Sequence, residues 1–152
     1  MTVRRANVAK VFPHAWRLCR APHADLSGEG AARFGGRWNS PGRAVAYLAE
    51  HQALAVLEVR VYLDLPLELI PRDYVLLRAA VPAAESIATM PDDPRGAGDA
   101  WLRSGASAVL RVPSVLVPGA SNLLLNPRHA DAAQARIEAT APFVFDPRLW
   151  RP

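Results

Sequence analysis

An α+β domain is the fold class this 152-residue sequence predicts, on three observations. Short apolar runs bounded by proline, glycine or polar clusters recur along the chain and read as strands. One apolar stretch, Glu50–Leu63, is longer and carries Leu54, Leu57 and Val61 at helical spacing. The two kinds of segment do not alternate in the regular βαβ order of a dinucleotide-binding Rossmann domain.

Residues 23–43 read as a polar loop that holds five of the nine glycines, and long ordered loops inside small domains are usually functional. Ala44–Ala49, centred on Tyr47, predicts a short strand, and Glu50–Leu63 the helix. Tyr74–Val81 predicts a strand closed by Pro82. Met90–Gly98, with its prolines, glycines and charges, reads as a surface loop, followed by one or two helical turns over Ala100–Arg103. Ala108–Val117 predicts a strand with an edge or bulge at Pro113, and Leu123–Leu125 a further short run. Asp131 is the expected N-cap of a helix over Ala132–Ala139, and Phe143–Phe145 the expected last strand.

The length fits one domain, 1–152, large enough for its own core. Apolar residues are 51% and charged residues 21%, which excludes a disordered or collagen-like chain. Cys19 is the single cysteine, so no internal disulfide forms and the expected compartment is the cytoplasm. The first seven residues, Met-Thr-Val-Arg-Arg-Ala-Asn, lack the apolar core of a signal peptide. No stretch is long and apolar enough to predict a membrane helix. His14, His23, His51 and His129 are scattered without metal-ligand spacing, so no metal site is expected. The net charge is +4, and seventeen of the eighteen basic residues are arginine, Lys10 being the exception. Arginine forks onto phosphates, so the excess fits a phosphate-bearing partner; a coding bias gives the same count.

Three segments can carry chemistry. Glu58 lies within Ala-Leu-Ala-Val-Leu-Glu-Val, four residues after Leu54 and three before Val61, and so shares their expected buried face. A carboxylate there needs a partner; a structural ion pair and a catalytic role both satisfy that. In Arg33-Phe-Gly-Gly-Arg37-Trp38-Asn39-Ser-Pro-Gly42 the paired glycines permit close approach to a ligand, and the arginines can clamp an anion. Neither a P-loop nor a Gly-x-Gly-x-x-Gly fingerprint is present. In Ser121-Asn122-Leu-Leu-Leu-Asn126-Pro127 polar groups bracket an apolar triplet, which suits a strand whose ends face a cleft. Ser121 lacks a nucleophile elbow, so hydrogen bonding suits it better than hydrolysis.

Together, Trp16-Arg17-Leu18, Gly35 to Gly42, Tyr47, Ala53 to Glu58 and Ser121 to Pro127 resemble the RES domain, named for its Arg, Glu and Ser. The resemblance runs over about residues 14–145 and places those letters on Arg37, Glu58 and Ser121. It implies an ADP-ribosyltransferase-like fold, with a central, mostly antiparallel split sheet and flanking helices. It further implies the toxin of a bacterial toxin–antitoxin pair, cleaving the nicotinamide–ribose bond of NAD+ by phosphorolysis or hydrolysis. Transfer of ADP-ribose to a protein target is the alternative. NAD+ would be a substrate, inorganic phosphate a candidate co-substrate, and no resident cofactor is implied. The implied partner is an Xre-type helix-turn-helix antitoxin that blocks the active site, with a homodimer inside the complex.

The residues fit that chemistry. Breaking the nicotinamide–ribose bond builds oxocarbenium charge on the ribose, which a carboxylate stabilises as in glycosidases. Glu58, Arg37 and Ser121 are the expected catalytic residues; Arg17, Tyr47, Asn39 and Asn126 are expected to bind NAD+. Arg17 competes with Arg20 for the pyrophosphate, and Arg33 is an outside candidate. A basic nucleic-acid-binding module is the distant alternative. It would need arginines gathered on one face, whereas these run from Arg4 to Arg151 with no helix-turn-helix pattern.

Overall fold

The computed structural model describes residues 13–151. The reading of the first seven residues and Lys10 lie outside the described residues. Among the described residues, seven strands build one sheet: β1 (His14–Arg20), β2 (Ala46–Ala49), β3 (Tyr74–Ala80), β4 (Ala84–Ser86), β5 (Val109–Pro113), β6 (Ser121–Leu125) and β7 (Arg136–Pro142). Their order is β4-β5-β6-β2-β1-β3-β7. Only β4 and β5 run parallel; the other pairs are antiparallel. Three α-helices accompany the sheet among the described residues: α1 (Glu29–Phe34), α2 (Gln52–Tyr62) and α3 (Pro94–Ser104). The α+β class and mostly antiparallel sheet match the expectation. None of the described helices is long and apolar enough to cross a membrane.

The sheet is split in its middle. β1 pairs with β3 over seven residues, His14 to Arg20, but with β2 only at Trp16 and Ala49. Past that single pair the ladder between β1 and β2 stops, and residues of both strands and of α2 line a cavity there. Each half has its own packing. Leu18, Ala49, Leu54, Ala55, Tyr74 and Phe145 pack under α2, while Trp38, Val45, Trp101, Leu110, Val112 and Leu124 pack under α3. A third group around Ala15, Leu48, Val109, Leu123 and Leu125 fills the opposite face. Those apolar groups, removed from water at about 25 cal/mol per Å2, hold the layers together.

Five expectations are corrected. First, β1 is a central strand where no element was expected; its short, arginine-punctuated sequence is made regular by β3. Second, the loop expected over 23–43 contains α1, which ends at Gly35 with φ +72, a conformation that favours glycine. Third, the surface loop expected over 90–98 holds the first five residues of α3, Pro94 to Gly98. Asp93 caps it by accepting from the Gly96 amide at 3.0 Å, and Pro94 occupies the first turn. Gly96 and Gly98 each cost a helix about 1 kcal/mol relative to alanine, which hid it from propensity. Tertiary packing outweighs that cost: a Cβ on Gly98 would lie 1.8 Å from the Trp38 carbonyl oxygen, and Trp101 is buried.

Fourth, the helix expected over 132–139 is instead a 3₁₀ turn, Ala130–Gln134, followed by β7. His129, not Asp131, caps the turn: its Nδ1 accepts from the Asp131 amide at 3.0 Å. Alanine-rich sequence favours helix locally, but the open edge of β3 claims these backbone groups. Fifth, Phe143–Phe145 is not a strand. Phe145 leaves the sheet to pack edge-on against Tyr74, ring centroids 5.3 Å apart. The α2 helix is as expected, but its buried stripe is rotated: Leu54 and Ala55 are buried, whereas Leu57 and Val61 are 42% and 54% exposed. The strand expected over 108–117 ends at Pro113, beyond the reach of β4, where its missing N–H disturbs no ladder with that strand.

Candidate active site

A cavity of about 830 Å3 opens where the sheet splits. β1 contributes Trp16, Arg17 and Leu18, β2 contributes Tyr47, Leu48 and Ala49, and α2 lays Ala55, Glu58 and Tyr62 across one wall. The turn after α1 adds Gly35, Gly36 and Arg37, and α3 adds Arg95. Its size is that of a site for a ligand of several rings.

Glu58 is the acid of this cavity. Its Oε1 accepts from Asn122 Nδ2 at 2.9 Å and from Ser114 Oγ at 3.2 Å. Ser114 is itself set in the turn after β5, where its Oγ also accepts from the Leu116 and Val117 amides. Both donors hold one oxygen, so Oε2 carries no hydrogen bond among the described residues. No basic side chain pairs with Glu58 there. The structural ion pair is therefore absent among the described residues, and a carboxylate with one oxygen fixed and one open faces the cavity.

Ser121 takes no part in this. Its amide donates to Glu50 Oε1 at 2.8 Å, and it does not line the cavity, while Asn122 does. Strand alternation gives the reason. Ser121 lies on the same side of β6 as Leu123 and Leu125, in the group on the far face; Asn122 lies with Leu124, on the cavity side. Serine is nonetheless present at Glu58, in Ser114, which sequence reading passed over along with Asn122. The register pair Val112 and Asn122 places the two donors on neighbouring strand ends.

The glycine turn is an ordered cradle. Asn39 is fully buried, and its Nδ2 donates to the carbonyls of Ala31, Arg43 and Ser40 at 2.8, 3.0 and 3.2 Å. Its Oδ1 accepts from the Tyr47 hydroxyl at 2.7 Å, and that hydroxyl accepts from the Trp38 amide at 3.0 Å. Asn39 thus shapes the cradle and does not line the cavity. Tyr47 lines it with its ring while its hydroxyl is committed. Burial pushes the Tyr47 phenol up to about 12, so it stays protonated as Asn39 requires. Gly36 must be glycine at this approach, because a Cβ would lie 2.6 Å from the Tyr47 oxygen.

Two of the expected arginines meet in the cavity. Arg17 lines it, and its buried Nε has no hydrogen-bond partner among the described residues. An unpaired buried donor costs about 1–3 kcal/mol, and a ligand acceptor would relieve it. Arg37 is exposed on the cavity wall and makes no ion pair among the described residues. Arg20 is taken up by Asp73, at 2.8 and 2.9 Å, and Arg33 does not line the cavity. Asn126 sits at the other end of β6, buried, with Oδ1 accepting from the Arg128 amide at 3.1 Å; it is a turn residue remote from Glu58. Burial raises the Cys19 thiol above its ordinary value despite the counter-pull of Arg17, so it is a poor nucleophile at neutral pH. No group of three or more metal-ligating side chains occurs among the described residues.

A split antiparallel sheet with one carboxylate and several arginines around its opening defines the class of protein. A profile of the RES domain matches residues 14–146, and the chain belongs to the RES domain family of toxins. It is 40% identical over 141 residues to the "Prs ADP-ribosylating toxin" of Sphingobium sp. (strain YBL2), covering 84% of this chain and 88% of that protein. It is 37% identical over 145 residues to a "Toxin Res" of Pseudomonas putida, covering 89% and 98%. Among solved structures, a chain of the M. tuberculosis MbcT-MbcA toxin-antitoxin complex shares the fold, with TM-score 0.72 and 23% identity over 91% of this chain and 86% of that one.

Proposed function

We propose that this toxin consumes NAD+ by cleaving the bond between nicotinamide and ribose. The observation that carries the reading is Glu58, anchored through Oε1 by Asn122 and Ser114 with Oε2 left to the cavity. As the C1′–N bond breaks, its electron pair leaves with nicotinamide, and positive charge spreads over C1′ and the ring oxygen. A carboxylate held by fixed donors meets that charge without having to reorganise. The acceptor oxygen, from inorganic phosphate or water, then forms the new bond to C1′, and its proton passes to solvent. Arg17, with its unpartnered Nε, and Arg37 bind the pyrophosphate. The Tyr47 ring and Trp16 offer flat apolar surface to the nicotinamide riboside.

A second reading keeps this first step and changes the acceptor to a protein side chain. It is favoured by the relative named as an ADP-ribosylating toxin. The cognate partner in either case is an Xre-type antitoxin that closes the cavity. The rim supports this, since Phe34, Tyr62 and Val115 line the opening while 77%, 71% and 52% exposed. Incubating the purified chain with NAD+ tests the reading. Loss of NAD+ with release of nicotinamide is expected, faster with phosphate for a phosphorylase, and label from NAD+ on a macromolecule marks transfer. Unchanged NAD+ with phosphate, without it and with a bacterial lysate would overturn both.

A further inference from the structure

The third guanidinium of the cavity belongs to Arg95, in a segment whose sequence reads as loop. Three contacts fasten α3 to the glycine turn that carries Arg37. Arg95 donates from Nε and Nη2 to the Gly36 carbonyl oxygen, at 3.2 and 3.1 Å. Gly98 packs directly on the Trp38 carbonyl. Asp99 accepts from the Ser40 amide at 2.9 Å and from the Ser40 hydroxyl. The Gly36 carbonyl belongs to the peptide that leads into Arg37, so the Arg95 fork fixes the backbone from which Arg37 projects. Arg95 itself lines the cavity, and its Nη1 has no partner among the described residues.

Six surface arginines have their charge matched, whereas the cavity arginines Arg37 and Arg95 do not among the described residues. Arg20, Arg43, Arg78, Arg111, Arg136 and Arg148 each have a carboxylate within 4 Å. Arg95 has none among the described residues; its fork engages a neutral carbonyl, which leaves its full charge uncompensated at the cavity wall. A guanidinium held by two of its donors presents the rest at fixed geometry, the arrangement that suits a phosphate oxygen.

We infer that Arg95 is a further substrate-binding residue of this site: it takes a phosphate oxygen of a dinucleotide pyrophosphate while holding the Gly36–Arg37 peptide in place. The inference rests on the NAD+ reading above and names a residue for it. Two substitutions separate charge from support. In Arg95→Gln the side-chain amide can still donate toward Gly36, but the charge is gone; in Arg95→Lys the charge stays and the fork is lost.

The test measures binding of ADP-ribose by calorimetry and, in parallel, NAD+ turnover, with melting curves for each protein. Arg95→Gln is expected to weaken ADP-ribose binding and raise KM for NAD+ by about tenfold or more, as for a lost charge-assisted hydrogen bond, with a smaller effect on kcat. Arg95→Lys is expected to recover a large part of that loss. High salt should narrow the gap between wild type and Arg95→Gln. Equal ADP-ribose affinity in wild type and Arg95→Gln would overturn the assignment, whatever the turnover. So would a loss of affinity in proportion to a fall in melting temperature, or no recovery by lysine. Wild-type protein that binds ADP-ribose through Arg95 yet leaves NAD+ intact would refute the reaction while sustaining the assignment, and one that binds no ADP-ribose would refute both.

Discussion

Replacing Glu58 by glutamine removes a charge and almost nothing else, which makes it the sharpest probe of this site. In Glu58→Gln the side-chain carbonyl stands where Oε1 stood and can accept from Asn122 Nδ2 and Ser114 Oγ, now at 2.9 and 3.2 Å. Hydrogen bonds to a charged acceptor are roughly twice as strong as neutral ones. Making both neutral in this half-buried setting costs about 1 kcal/mol. For a chain of this length that corresponds to a fall in Tm of about 2–4 °C. Catalysis should respond on another scale. Removing one preorganised group that stabilises developing charge typically lowers kcat by about 10²–10³-fold, and here the lost group carries a full charge. The expected outcome is a folded protein with NAD+ turnover down by at least that factor and growth arrest abolished. Measurement pairs a melting curve with nicotinamide release and a growth assay on induced cells. Turnover within about tenfold of wild type would refute a charge-stabilising role. A Tm drop beyond about 10 °C, with activity falling in step, would recast Glu58 as structural.

Three further outcomes are expected. Asn122→Ala leaves Glu58 with one donor; the carboxylate gains freedom, and a misplacement of about 1 Å can cost 10²-fold in rate, so turnover should fall far more than Tm, checked by kinetics beside a melt. Tyr47→Phe strands the Trp38 amide and Asn39 Oδ1, costing about 1–3 kcal/mol for each buried group left unpaired. Because burial holds the folded phenol at about 12 against about 10 unfolded, the Tyr47 contribution is complete below pH 10 and declines as pH rises from there. The Tm gap between wild type and Tyr47→Phe should therefore shrink in strong alkali. For Asp99, burial pulls upward but the Ser40 hydroxyl and amide, with Arg43 and Arg103, lower it below its ordinary value overall. A lowered carboxyl adds stability above the unfolded value, about pH 4, that is lost as pH falls through the folded one. Wild type should then melt above Asp99→Asn at pH 7, and the difference should vanish on acidification below about pH 4.

How much of this was legible beforehand differs from element to element. Glu58 stands out in the sequence because a carboxylate in an apolar helix contradicts the local pattern, and the structure sets it on the cavity wall. Arg17, Arg37 and Tyr47 do converge on one cavity. The serine was misplaced: Ser121 and Ser114 are both plausible strand-end hydroxyls, and only the pairing of β5 with β6 shows which one reaches Glu58. Asn39 stood out for a sound reason, yet its work is to bind three carbonyls inside the cradle. Arg95 escaped notice although Asp93-Pro94 is a helix-start pattern, since two glycines argued against a helix.

The chain by itself determined what depends on neighbours in sequence: the α+β class, the helical state of α2, the strands rich in valine and leucine, the glycine turn, and the family its motifs mark. Tertiary structure alone decided what depends on distant backbone. The β7 segment became a strand because β3 offered an unpaired edge, and α3 held as a helix because Gly98 could seat on Trp38. The cavity exists because β1 and β2 share one register pair and their ladder then stops. Periodicity reports which way a side chain points from its own segment; where that direction leads is set by strand order and register, which no local pattern contains.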